Sequence, residues 1–302
     1  MRDGFRSLVA PRSPLRMNHG ALKDRLDDIY ESFNVEESAT DPVEIVRRFR
    51  NASDREVVAF LASALAFGRV ASVLASIERV LATMGPSPAA FVRGFDAARD
   101  GDVLRPLVHR WTRGPDLVAL VVVLRSMLQA HGTLERTFAA GHDGGSVDIR
   151  DGLEAFTRLA CSTDVREAYG RRMPARPGFW YFFTKPSGGS ACKRLNLFLR
   201  WMVRSDAVDP GGWTAVTPSQ LIVPLDTHII RLGRCLRLTR YMTPGWKMAS
   251  EITASLRTLD PVDPIRYDFA LCHLGMMKAC GFAKPQRDQA CPLKGWCRPR
   301  QA

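Results

Sequence analysis

The chain has 302 residues, 46% of them hydrophobic and 25% charged, and its 43 Lys and Arg against 31 Asp and Glu give a formal net charge of +12. That apolar content excludes a largely disordered or low-complexity chain, and the longest uninterrupted apolar run, 117–124, is too short to span a bilayer. The charge excess is nearly all arginine, whose planar fork suits phosphate oxygens. A nucleic-acid partner is one reading of it, and a merely solvated arginine-rich surface is the other.

Residues 1–19 carry Arg2, Arg6, Arg12 and Arg16 among prolines and small residues, and read as a disordered basic tail without a secretory signal. A cytoplasmic, reducing compartment follows, so the seven cysteines are expected as thiols or metal ligands. From Leu22 onward apolar residues recur every three or four positions, with Leu22, Leu26, Ile29, Tyr30 and Phe33 forming the first stripe. Ser53-Asp54-Arg55-Glu56 reads as a capping box ahead of the apolar run 57–67. The spacing predicts further helices over about 70–84, 102–111, 116–129, 147–159, 191–204, 227–238, 245–259 and 264–277. Glycines and prolines punctuate them, and only Leu221-Ile222-Val223 looks strand-like. The expected fold is therefore all-α. A helical subdomain over 20–204 precedes a second one over 205–302, to which the N-terminal helices within 20–49 are also joined.

Two stretches carry chemistry. Residues 186–204 open Pro-Ser-Gly-Gly-Ser-Ala-Cys-Lys-Arg-Leu-Asn. A glycine-rich turn opening a helix aims backbone N–H groups outward with the positive end of the helix dipole behind them, which suits a phosphate at Gly188, Gly189 and Ser190. Lys193 stands in the first turn of that helix, where a neutral amine would be a nucleophile and a charged one a solvated lysine. Residues 221–238 read Leu-Ile-Val-Pro-Leu-Asp-Thr-His-Ile-Ile-Arg-Leu-Gly-Arg-Cys-Leu-Arg-Leu, placing Asp226 at the start of a basic helix. A carboxylate there is either a reacting group or simply an N-cap.

The second stretch resembles the Val-Asp-Thr-His-Val-x-Arg-Val-x-x-Arg-Leu-x-Leu segment of the helix-hairpin-helix DNA glycosylases, the superfamily of endonuclease III. Asp226-Thr227-His228, Arg231 and Leu236-x-Leu238 match it. The hairpin of that family, Pro-Gly-Val-Gly-x-Lys-x-x-Asn, has a loosened counterpart in Gly188, Gly189, Lys193 and Asn196. Lys193 and Asp226 are 33 positions apart, an interval longer than in relatives of endonuclease III and similar to that of archaeal 8-oxoguanine glycosylases. Residues 22–277 as a whole also resemble a bacterial branch of the superfamily.

The resemblance implies two packed helical subdomains with a cleft between them. It also implies a monomeric base-excision repair enzyme acting on a lesion in double-stranded DNA, with no membrane. Asp226 would be the catalytic carboxylate and Lys193 the nucleophile that forms a Schiff base, giving lyase activity. Gly188, Gly189, Ser190, Arg194, His228 and Arg231 would contact DNA, with Arg200 and Arg204 as further candidates. Trp180 and Tyr181, from the aromatic run 179–183, would stack the flipped base. A non-catalytic DNA-binding protein that keeps the hairpin is the open alternative.

Cys280, Cys291 and Cys297 are similar in spacing to the C-terminal iron–sulfur loop of endonuclease III, Cys-x6-Cys-x2-Cys-x5-Cys. The second ligand is missing, because Gln286-Arg287-Asp288 stand where it should fall. The resemblance implies a [4Fe-4S] cluster or zinc with Cys272 as fourth thiolate, or His273 in its place. Isolated buried thiols and no metal are the other reading.

Overall fold

The computed structural model describes residues 19–36, 41–170, 172–277 and 291–296. Nearly all of the basic tail expected over 1–19, along with Cys280 and Cys297, lies outside the described residues.

The described chain is built from helices. In order they are α1 (His19–Phe33), α2 (Val43–Arg47), α3 (Ala52–Leu65), α4 (Val70–Met84), α5 (Pro88–Gly94), α6 (Ala97–Asp100), α7 (Gly114–His131), α8 (Leu134–Ala139), α9 (Arg150–Ser162), α10 (Arg166–Tyr169), α11 (Lys193–Val203), α12 (Thr227–Cys235), α13 (Trp246–Arg257) and α14 (Asp268–Met276). One two-stranded ribbon interrupts them, β1 (Val108–His109) and β2 (Thr112–Arg113). Among the described residues no helix is long and apolar enough to cross a membrane.

The core is organised around α3. Its residues from Glu56 to Leu65 are buried without interruption, so it behaves as an interior helix and not as an amphipathic surface one. It packs on α11 and α2, while α7 gathers α5, α8 and α10, and α14 receives α1 and α12. One connected cluster of buried apolar side chains runs from Leu22 to Leu293.

Two local expectations are corrected. The helix that starts α3 is capped by Asn51, whose side chain accepts from the Asp54 amide at 3.1 Å, not by Ser53. Glu56 reaches instead into the interior, where its carboxylate accepts from the amides of Leu134 and Glu135 at 3.0 Å each and from the Trp213 indole at 2.8 Å. It thereby caps α8 from across the core, a long-range version of the role a capping residue performs locally.

The second correction concerns 102–111. In place of a helix, Val108 pairs with Arg113 and His109 with Thr112 across a two-residue turn at Arg110-Trp111. Side chains alternate between exposed and buried there. His109 anchors the ribbon through Ser76 Oγ at 2.9 Å and the Phe67 carbonyl at 3.0 Å. Arg110 holds φ +56°, the left-handed backbone such turns demand and usually fill with Gly or Asn. The strand-like residues 221–223 run extended without pairing in a sheet.

Behind α11 lies a buried ionic cluster. Arg200 binds Asp209 at 2.9 Å and Asp268 at 2.7 Å, with every one of these side chains at most 4% exposed. Arg204 joins it through Asp206 at 2.7 Å, Asp263 at 2.9 Å, and Asp209. Removing one member strands the opposite charges in a medium that solvates them poorly. Arg200→Met should therefore lower the unfolding free energy by about 3–5 kcal/mol, read as a fall in the urea midpoint at unchanged slope.

Candidate active site

The turn before α11 owes its shape to backbone conformations that few residues adopt. Gly189 has φ +79° and Cys192, the residue before the helix, φ +49°. A non-glycine residue in the left-handed region is held there only when its surroundings over-determine it. Here the Cys192 thiol is buried and donates to the Thr184 carbonyl at 3.3 Å, while its amide donates to Ser190 Oγ at 3.1 Å. Asn196 completes the clasp by donating to the Ala191 carbonyl at 3.0 Å from a fully buried position. The Lys-x-x-Asn spacing thus has a mechanical reason: the asparagine, one helical turn on, ties down the chain that delivers Lys193. The turn also docks on α13, since the Trp246 amide donates to the Gly189 carbonyl at 3.2 Å and a Cβ on Gly245 would lie 2.8 Å from that oxygen.

Lys193, Leu197 and Arg200 lie on one face of α11 and line a cavity of about 480 Å³. Asp226 lines the same cavity from the head of α12. So do Asp268, Phe269, Cys272, His273 and Met276 from α14, Asp41 ahead of α2, and Phe67 with Gly68 between α3 and α4. The volume falls in the range of small-ligand sites.

Asp226 performs the capping role left open for it and also meets a thiol from α14. Its Oδ1 caps α12 by accepting from the amides of His228 and Ile229 at 2.8 Å each. Its Oδ2 accepts the Cys272 thiol at 3.0 Å. Burial, reinforced by the Asp226 and Asp268 carboxylates, pushes that thiol well above its ordinary range, so Cys272 is a hydrogen-bond donor in the cavity and no thiolate. Cys291 is buried in the turn that docks on α1 through Arg25 and the Pro292 carbonyl at 2.7 Å. Among the described residues no group of three His, Cys, Asp or Glu could hold a metal. The other cysteines of the expected centre, Cys280 and Cys297, lie outside the described residues, and no chemistry here is routed through a metal.

Three carboxylates, Asp41, Asp226 and Asp268, face this cavity. Asp268 Oδ2 accepts from Arg200, whereas Oδ1 has no hydrogen-bond partner among the described residues. Burial, opposed by Arg200 and aided by Asp226, raises the Asp268 carboxyl to about 6. His273, expected only as an alternative metal ligand, is buried on the same wall. Its Nδ1 lies 2.9 Å from the Phe269 carbonyl, which can only accept, so Nδ1 carries the proton and Nε2 is the lone pair. That Nε2 has no partner among the described residues, and burial lowers the ring's pKa, favouring the neutral form.

The remaining expectations divide. The Gly188 and Gly189 amides are bonded within their own turn, to the Lys185 and Pro186 carbonyls at 3.2 and 2.8 Å, and Ser190 Oγ is held by Cys192. The Gly188 and Gly189 amides are therefore not turned outward to a phosphate as expected. Arg194 is not a surface contact either: its guanidinium carbon lies 5.4 Å from the Phe67 ring centroid, 5.7 Å from that of Trp111 and 6.0 Å from that of Phe182. It also donates to the Tyr181 carbonyl, and burial lowers its pKa to about 10. Arg200 and Arg204 are interior, as described above. His228 lines the cavity wall, its ring against Gly275, where a Cβ would sit 2.6 Å from Nδ1. Arg231 is exposed on α12.

The aromatic run splits by burial. Phe179, Phe182 and Phe183 enter the core, while Trp180 and Tyr181 are 44% and 53% exposed and do not line the cavity. Phe67 and Phe269 are the rings that do.

Once this geometry is set out, comparison adds one finding. Residues 41–277 match the family described as protein of unknown function (DUF2400), and the chain belongs to that family. No curated protein and no solved structure matches it.

The raised Asp268 carboxyl links the site to stability. Below its ordinary value of 3.8 the group is protonated in both folded and unfolded states. Between 3.8 and about 6 the folded protein holds a proton that the unfolded chain has released, so stability from this group is lost as pH rises through that window. Asp268→Asn should flatten that limb of a plot of Tm against pH.

Proposed function

We propose that this protein is a DNA glycosylase with an associated lyase step, of the helix-hairpin-helix kind, whose two helical subdomains meet at the cavity shared by Lys193 and Asp226. The observation that supports the reading is that convergence: the two residues singled out by motif, 33 positions apart, line one cavity of about 480 Å³. A spacing coincidence would have no reason to bring a lysine and a carboxylate to a single pocket with two aromatic walls.

The chemistry follows from the lining. A nucleotide turned out of the duplex brings its base against Phe67 and Phe269, because its reacting carbon is inaccessible within the stack. Once its ammonium has given up a proton, the Lys193 amine attacks the sugar C1′, the bond from C1′ to the base nitrogen breaks with its electron pair leaving on the base, and the base takes up a proton. Loss of the nitrogen proton and opening of the sugar ring give the imine, from which elimination cuts the strand. Asp226, with Asp268 behind it, stabilises the positive charge that develops on the sugar.

The positive charge available to the phosphates lies outside. Arg231, Arg234, Arg237 and Arg240 recur every three residues and are all exposed, although Arg240 is paired with Glu251 at 2.9 Å. This series, in place of the buried Arg200 and Arg204, would carry the salt-dependent part of binding. Arg234→Gln and Arg237→Gln should each reduce the slope of log affinity against log salt by about 1.

Borohydride trapping with a panel of oxidised, deaminated and alkylated duplexes tests the chemistry. A covalent adduct is expected from the unaltered chain and none from Lys193→Gln. Asp226→Asn should slow base release by about 10²- to 10⁴-fold. Binding without an adduct or base release on any lesion would establish the non-catalytic reading instead.

A further inference from the structure

Phe67 joins two hollows. It lines the cavity that holds Lys193 and Asp226. Trp111 is stacked on it at 4.7 Å between centroids and 19° between planes, and Tyr181 follows at 4.8 Å from Trp111. Trp111 and Tyr181 line a second groove of about 570 Å³, together with Arg113, Arg176, Asp116 and Tyr169. Trp111 is 41% exposed, and Arg113 and Arg176 are exposed beside it.

Nothing in the mechanism uses this groove. Burial does not account for the rings, since exposed aromatics side by side forgo the stabilisation that burying them would give. The backbone also works against itself to present them: Trp111 occupies a two-residue turn whose other member, Arg110, sits in the left-handed region without being glycine. Arg194 braces the arrangement from below, packed against Phe67 and Trp111 and bonded to the Tyr181 carbonyl. Asp116, the acid in the groove, has both oxygens engaged, by the Tyr169 hydroxyl at 2.7 Å and the Arg113 amide at 2.9 Å. The exposed charge left at this rim is cationic.

We propose that this groove is a stacking subsite for a second unpaired nucleobase, one adjoining the base in the cavity, so that the substrate is DNA that is locally single-stranded. The inference rests on the nucleic-acid reading of the cavity. Every nucleobase offers a flat face to an aromatic ring whatever its sequence, and arginines at the rim meet the phosphates between the two bases. Adjacency supplies the geometry: Phe67 lines the cavity and stacks on Trp111, so a strand with one base against Phe67 has Trp111 and Tyr181 within reach of the next. Two neighbouring bases out of the stack are readily supplied by a bubble, loop or single strand, where little pairing has to be broken.

The test uses the full chain with a fluorescent 12-nucleotide oligo(dT) and, in parallel, a duplex carrying an abasic-site analogue. Trp111→Ala and, separately, Tyr181→Ala should weaken oligo(dT) binding by about 5- to 150-fold, the equivalent of one lost base–aromatic stack, and weaken duplex binding much less. Trp111→Phe should restore most of the single-strand affinity. Equal losses on both substrates, or unchanged oligo(dT) affinity in both alanine variants, would overturn the proposal. The glycosylase reading fails separately: absent Lys193-dependent trapping together with ring-dependent oligo(dT) binding would discard the catalysis and retain the stacking subsite.

Discussion

Two arginines placed in the interior constrain much of this molecule. Arg200 stands in the last turn of α11 and Arg204 just past its end, and four aspartates, Asp206, Asp209, Asp263 and Asp268, close around them. Such a cluster contributes little net stability over an apolar filling, but it tolerates only one arrangement, since each charge is costly unless its partners are in place. The arrangement sets the rotation of α11, and with it the face on which Lys193 stands. Through Asp268 it also fixes the start of α14, whose next turn carries Cys272 to Asp226. The lysine and the carboxylate are thus referred to the same buried point from two directions.

The same cluster redistributes the charge. A chain of net charge +12 has a cavity faced by Asp41, Asp226 and Asp268, while exposed arginines populate α12 and the groove beside Trp111. Positive potential on the outside draws in a polyanion; carboxylates inside favour positive charge on whatever is held there. Neither follows from net charge alone, because the arginines that seemed to mark the binding face are the ones the fold keeps for itself.

The helices were legible where periodicity had many turns over which to repeat, as in α4, α7 and α13. Lys193 and Asp226 were legible because their neighbours formed a motif. The β1–β2 ribbon was not, since Arg110 occupies a position where Gly or Asn would have announced the turn. Glu56 has the spacing of a local cap and serves a distant helix, a choice made by burial and invisible in four residues. Arg194 looks like any basic residue at a helix start until three rings converge on it. Asp268 was missed and His273 was read only as a possible metal ligand, although the recurrence of 268, 269, 272, 273 and 276 on one helical face was a readable signal. Cys272 drew notice only as a possible companion of the C-terminal cysteines.

The left-handed conformation at Cys192 also bears on how such turns are recognised. What delivers Lys193 to the cavity is a sequence of backbone angles, clasped by Asn196, and a cysteine adopts the one that glycine would ordinarily supply. A pattern written in residue names leaves this position open; a pattern written in dihedral angles counts it as part of the turn. Similar turns in other chains would be found by asking which residues can be held at positive φ by a buried side chain, a vocabulary that includes Cys, Asn and Asp as well as Gly.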